Sequence, residues 1–231
     1  MRRRSFVKFA GSMLVGWPLA AHAQQPDKTY RIATLSLTAR PSQPVLIHAL
    51  AAHGYVEGRN TLILSRSAEG EPERMPELAA EIISFQPDVI IAGGGQAADA
   101  LRQATTTIPI VLWEVGDPVG LGLVTNIAHP GANITGVTEL STELTGKRLQ
   151  LLKEAVPTAA RVAIIWNGGD RSMELRARAS VASAPVLGIT IVQLPVENVG
   201  EIDATLVALA GDPPDAVIVV SDPLRPARGR R

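Results

Sequence analysis

Cysteine is absent from the 231 residues, which excludes disulfide staples, thiolate metal sites, iron–sulfur ligation and cysteine nucleophiles. Aromatic residues make up only 3% of the chain, so few rings are on hand to stack on a ligand. Trp113 and Trp166 each end an apolar run, and packing inside a core is the commoner fate of such residues. Histidine is scarce and poorly spaced for a metal. His48 and His53 stand five apart on one expected helix, His129 precedes Pro130, and His22 falls in the N-terminal segment. Neither His-Glu-x-x-His nor Gly-x-Ser-x-Gly occurs, so no catalytic residue, metal site or cofactor is assigned. Net charge is also missing, with 22 basic and 22 acidic side chains, but the balance is uneven along the sequence. Four basic residues lie in the first 23 positions and four in the last seven, leaving 14 basic against 22 acidic side chains across residues 24–224. Such an acidic body argues against a nucleic-acid groove.

What is present is core material. Hydrophobic residues at 46% suit one large or two small domains and exclude disorder for the bulk of the chain. Residues 1–23, MRRRSFVKFAGSMLVGWPLAAHA, form a basic start, a short apolar stretch and then Ala21-His22-Ala23. Small residues at 21 and 23 suit signal peptidase, so cleavage before Gln24 is expected. The stretch 9–20 is too short to span a bilayer and is weakened by Gly11, Gly16 and Pro18. Arg3-Arg4-Ser5-Phe6-Val7-Lys8 matches the twin-arginine export pattern, with an ordinary basic secretory start as the plainer reading. The mature protein is expected in the periplasm.

From Tyr30 onwards, short β-rich runs alternate with helical stretches. Strands are expected at 31–37, 61–65, 88–92 and 108–113, with helices at 44–53, 73–85 and 96–104 between them. Residues 116–136 are rich in Gly and Pro and carry little regular pattern. The alternation then restarts with a helix at 140–156, strands at 161–166, 189–194 and 216–220, and helices at 172–187 and 199–209. Two successive βα units of this kind predict an α/β fold of two Rossmann-like lobes with parallel sheets and a cleft between them. The expected division is 1–23 as export signal, 24–139 as the first lobe, 140–223 as the second and 224–231 as a basic tail.

Gly93-Gly94-Gly95-Gln96 stands where a strand ends and a helix begins. Backbone N–H groups there suit a carboxylate or phosphate, because the helix dipole favours negative charge and ligands of open α/β sheets bind beyond the strand ends. The P-loop Lys-Ser/Thr is missing, and a plain tight turn is the alternative. Asp117, in Gly116-Asp117-Pro118-Val119-Gly120, either accepts from a ligand ammonium or caps its own turn. Glu114 lies close by, but two acids three apart in a loop say little about acid–base chemistry.

Several segments taken together resemble the ABC-transporter substrate-binding proteins of the type I periplasmic-binding fold, a group linked with aromatic amino acids. They are Gly54-Tyr55-Val56-Glu57-Gly58-Arg59-Asn60, Ala104-Thr105-Thr106-Thr107-Ile108-Pro109-Ile110-Val111, residues 116–122, residues 130–138, residues 147–152 and residues 157–162. The resemblance implies a bilobed receptor that closes on a small solute and passes it to an ABC permease in the inner membrane. Carried over by position, it places ligand contacts at Ser36, Gly94, Gly95, Gln96, Ala97 and Asp117 in the first lobe, and at Asn167 and Asp222 in the second. It also implies further sequence after Pro223, so the second lobe is expected to be incomplete, truncated at its C-terminal end. Gln96-Ala97 departs from the Thr-Pro common in the family, and Gly168-Gly169-Asp170 departs from its Asn/Pro-rich variants. The expected role is solute binding without catalysis, for an amino acid or related carboxylate. An exported α/β enzyme such as a hydrolase is the alternative, weakened by the lack of a nucleophile–base pair. A regulator's sensing domain is a third, opposed by the export signal.

Overall fold

The computed structural model describes residues 28–39 and 43–220. The expected signal segment, its cleavage point before Gln24, Asp222 and the basic tail lie outside the described residues. Among the described residues, eight strands and six α-helices alternate in sequence except where β5 follows β4 directly. The first lobe holds β1 (Tyr30–Ser36), α1 (Gln43–Ala52), β2 (Thr61–Ser67), α2 (Met75–Ser84), β3 (Val89–Gly93), α3 (Gly95–Ala104), β4 (Ile110–Val115) and β5 (Ile134–Thr138). The second holds α4 (Thr145–Ala155), β6 (Arg161–Asn167), α5 (Arg171–Ser183), β7 (Thr190–Val196), α6 (Val199–Gly211) and β8 (Ala216–Val219). No described helix is long and apolar enough to cross a membrane.

Every pairing of these strands is parallel, in the orders β2-β1-β3-β4-β5 and β7-β6-β8. Central strands are apolar almost throughout because helices can cover both faces of a parallel sheet. Ile90 and Ala92 of β3 are fully buried, as are Val162, Ala163 and Ile164 of β6. In the first lobe Leu35, Ile82, Ile90, Leu101 and Ile110 belong to one core. Trp166 packs in the second lobe with Ile164, Met173 and Ala177.

The first sheet has five strands where four were expected. β5 begins inside the stretch read as irregular and runs two residues past its end. The helix expected from residue 140 begins at Thr145, after turns at 141–144. Between β4 and β5 the register slips: Leu112 faces Gly136, but Val115 faces Thr138. One extra β4 residue is accommodated by a bulge at Trp113–Glu114, and Glu114 adopts a left-handed φ of 59°.

Candidate functional site

In the first sheet the chain winds outward from β1 in one direction and from β3 in the other. The crevice beyond the carboxyl ends of two such strands is where open α/β sheets take ligands. A cavity of about 420 Å³ lies there, within the range of small-molecule sites. Thr38 follows β1, Gly94–Gln96 follow β3, and Glu114 and Gly116 end β4; all line it. The opposite wall belongs to the start of α5, with Asp170, Ser172, Met173 and Arg176. Glu139, in the connection between lobes, completes the rim. The cavity thus sits between the lobes with two helix N-termini at its walls, where helix dipoles are most positive.

Two contacts cross the cleft. Gln96 Nε2 donates to Asp170 Oδ2 at 3.2 Å and to the Gly169 carbonyl at 3.4 Å. Asp170 is 7% exposed and also caps α5, accepting from Ser172 N at 2.6 Å and Met173 N at 3.4 Å. Arg176 Nη2 donates to Glu139 Oε2 at 3.2 Å, and its side chain is only 11% exposed. The guanidinium lies against Gly116: a Cβ there would stand 2.6 Å from Arg176 Nη2 and 2.7 Å from Ser141 Oγ. A side chain at 116 would push these two side-chain ends aside, and glycine leaves them room. Three buried polar atoms around the cavity have no partner among the described residues: Gln96 Oε1, Arg176 Nε and Ser141 Oγ. Buried polar atoms normally find one, so each marks unfilled hydrogen-bonding capacity. A second hollow of about 510 Å³ lies beside α3 and α2, and Gly95, Gln96, Asp170 and Ser172 border both spaces.

Gly94, Gly95 and Gln96 therefore line the cavity, at the turn where the sequence placed them. Ala97 points into the first core, fully buried. Ser36 donates to the Thr38 carbonyl at 2.8 Å and borders a recess of about 20 Å³ beside Trp113. Asp117 Oδ1 accepts from Gly120 N at 2.8 Å within its own turn. Asn167 is buried at the end of β6, where Oδ1 accepts from Gly169 N at 3.0 Å. Sequence reasoning passed over Glu139, Ser172 and Arg176. A signal for Ser172 was present, since 167–172 is a second strand-to-helix turn of the kind read at 93–96. Among the described residues no group of three or more His, Asp or Glu is arranged to hold a metal ion.

A family model described as ABC transporter substrate binding protein matches residues 42–224. A tyrosine-binding protein of Clostridioides difficile (strain R20291) is 29% identical over 185 residues, covering 77% of this chain and 53% of the relative. Among solved structures, a conserved domain protein from Vibrio cholerae superposes with a TM-score of 0.75 at 29% identity, covering 82% of this chain and 64% of the other. A domain from Streptococcus pneumonia in complex with L-Trp gives a TM-score of 0.72 at 22% identity, over 84% of this chain and 66% of that one, a likeness of fold alone. The protein thus spans about half the length of the curated relative and about two thirds of these solved chains.

Proposed function

The chain belongs to the ABC transporter substrate-binding protein family, whose members are binding proteins rather than enzymes, and from that premise we propose that it is the extracytoplasmic solute receptor of an importer. Residues 24–139 and 140–223 form two lobes that close on a small amino acid or related carboxylate and present it to a permease in the inner membrane. The segment 1–23 directs the protein to the periplasm by the twin-arginine route and is removed before Gln24. Supporting this reading above all is the cavity between the lobes, at the carboxyl ends of both sheets, lined by polar groups from each.

Gly94, Gly95 and Gln96 are the direct contacts from the first lobe. Backbone N–H groups at the start of α3 and the Arg176 Nε–H are donors for a carboxylate or carbonyl oxygen. Ser36, Ala97, Asp117 and Asn167 shape the walls, each through the local packing or hydrogen bond described above. Asp222, which comes after β8 in the sequence, is a proposed contact from the second lobe. The test is a thermal-shift screen of the full-length protein against amino acids and small carboxylates. A solute that binds only the folded state stabilises it by about 2.7 kcal/mol at one hundred times its Kd. A flat response to the whole panel, with turnover of an ester substrate, would overturn the reading.

A further inference from the structure

The second hollow continues the solute cavity. Gly95, Gln96, Asp170 and Ser172 border both spaces, so the two meet at the starts of α3 and α5. The partition between them is weakly held. Gln96 Nε2 reaches Asp170 Oδ2 at 3.2 Å and the Gly169 carbonyl at 3.4 Å, at or beyond the long end of the usual range. A Cβ on Gly95 would stand 2.6 Å from Ser172 Oγ and 2.9 Å from Leu121 Cδ1, so the lobes meet closely there. Chemistry changes from one side of this partition to the other. The inner walls include Thr38, Glu139 and Arg176. The outer walls include Pro72, Met75, Pro76, Ala100 and Leu121. Met75 belongs to the first core, and Ala100 and Leu121 pack against it, so the apolar wall is backed by close-packed residues. At about 420 and 510 Å³, each space has the size of a whole small-molecule site. Gln96 Oε1 stands at the partition with no partner among the described residues, and as an acceptor it calls for an N–H or O–H.

We propose that the two spaces are subsites for one extended solute, a short peptide with an apolar residue at its amino end. Its terminal carboxylate meets Arg176 Nε and the start of α3 in the inner cavity. The peptide N–H meets Gln96 Oε1 as that side chain leaves Asp170. The apolar side chain enters the outer hollow against Met75, Ala100 and Leu121. Its ammonium group is left beside the half-exposed Asp99, which also lines the hollow. The inference rests on the receptor reading and deepens it, adding the second hollow as a binding site and lengthening the solute beyond a single amino acid.

Isothermal titration of the full-length protein with L-leucyl-glycine, glycyl-L-leucine, glycyl-glycine and L-leucine separates the outcomes. L-leucyl-glycine is expected to bind about tenfold or more tightly than each of the others, as burial of one leucine side chain allows. Ala100→Phe fills the outer hollow and is expected to weaken L-leucyl-glycine about tenfold, bringing it towards glycyl-glycine. Gln103→Trp fills the same hollow from an exposed position, so the comparison survives if the Ala100 variant folds poorly. Equal or tighter binding of L-leucine overturns the extended site and leaves the receptor reading standing. Tighter binding of glycyl-L-leucine overturns the placement of the apolar residue in the outer hollow. Tight L-leucyl-glycine binding unchanged by both variants removes the hollow from the site. No heat with any of the four overturns the inference, and the wider solute panel then decides the receptor reading separately.

Discussion

Glu114 holds a φ of 59°, a conformation in which the Cβ of an L residue crowds its own backbone. It is kept there because the β4 bulge must take up one more residue than β5 offers. Glu114→Gly should therefore raise stability by up to about 1 kcal/mol, the left-handed penalty less the extra entropy of an unfolded glycine. Paired melting curves of the two proteins would show it, and a lowered midpoint would mean that the Glu114 side chain stabilises the bulge by contacts worth more than the strain. Asp117 carries the opposite expectation. Its carboxylate accepts from Gly120 N inside its own turn, so Asp117→Ala should cost about 0.5–2 kcal/mol, as loss of a cap does. Denaturant titration measures that cost. Solute titration of the same variant should stay within about twofold of the parent on this geometry, whereas a direct ligand contact of this charged kind is worth roughly tenfold or more.

At the level of strands, both lobes fasten their central pair in the same way. Asp88, just before β3, accepts from Arg31 N at the head of β1 at 2.8 Å. Asp215, just before β8, accepts from Arg161 N at 2.7 Å and Ala160 N at 2.8 Å at the head of β6. These backbone N–H groups hold both carboxyls below their usual range, and Lys28 adds to the effect at Asp88. A depressed folded value means the stabilisation is complete above the unfolded value of about 4 and is lost as pH falls through the folded one. The protein should thus lose stability below about pH 4, and Asp88→Asn should flatten part of that loss. At neutral pH this partly exposed group contributes about 1 kcal/mol after screening by solvent. Denaturation midpoints of parent and variant between pH 5 and pH 3 test this; parallel curves would assign the acid loss elsewhere. Seven of the eight strands were legible, because each is built on a short apolar or β-branched run between turn signals. β5 was not, because it is five residues long with Gly136 at its centre. That glycine has a φ of 144°, and a Cβ there would collide with the Leu112 backbone, so the feature that weakens the strand signal is what the pairing requires. The strand-to-helix turn at 93–96 was legible for a local reason. Arg176 and Glu139 were not, because 37 residues separate them and their meeting depends on how the lobes face each other.

Across the whole molecule the cleft is closed by the protein's own side chains. Gln96 reaches from α3 to Asp170 and Gly169, while Arg176 reaches from α5 to Glu139. The first contact can be removed cleanly. Gln96 is a neutral donor at 3.2 and 3.4 Å, and Asp170 keeps its two α5 amide donors without it. Gln96→Ala therefore leaves the α5 cap intact and acts on lobe orientation. A net hydrogen bond is worth about 0.5–1.5 kcal/mol, which moves an open–closed equilibrium by roughly two- to tenfold. If only the closed form binds, apparent affinity changes in proportion to its population. The solute-free variant should show a larger radius of gyration than the parent in small-angle scattering, and saturating solute should bring the two together. It should also bind more weakly, in part through the same shift and in part through loss of Gln96 Oε1 as an acceptor. Gln96→Glu separates these contributions: it retains an acceptor but faces the Asp170 carboxylate with like charge, so it should open the solute-free cleft at least as far as alanine. Identical scattering from parent, alanine and glutamate variants without solute would show that the Gln96–Asp170 contact does not set the lobe angle.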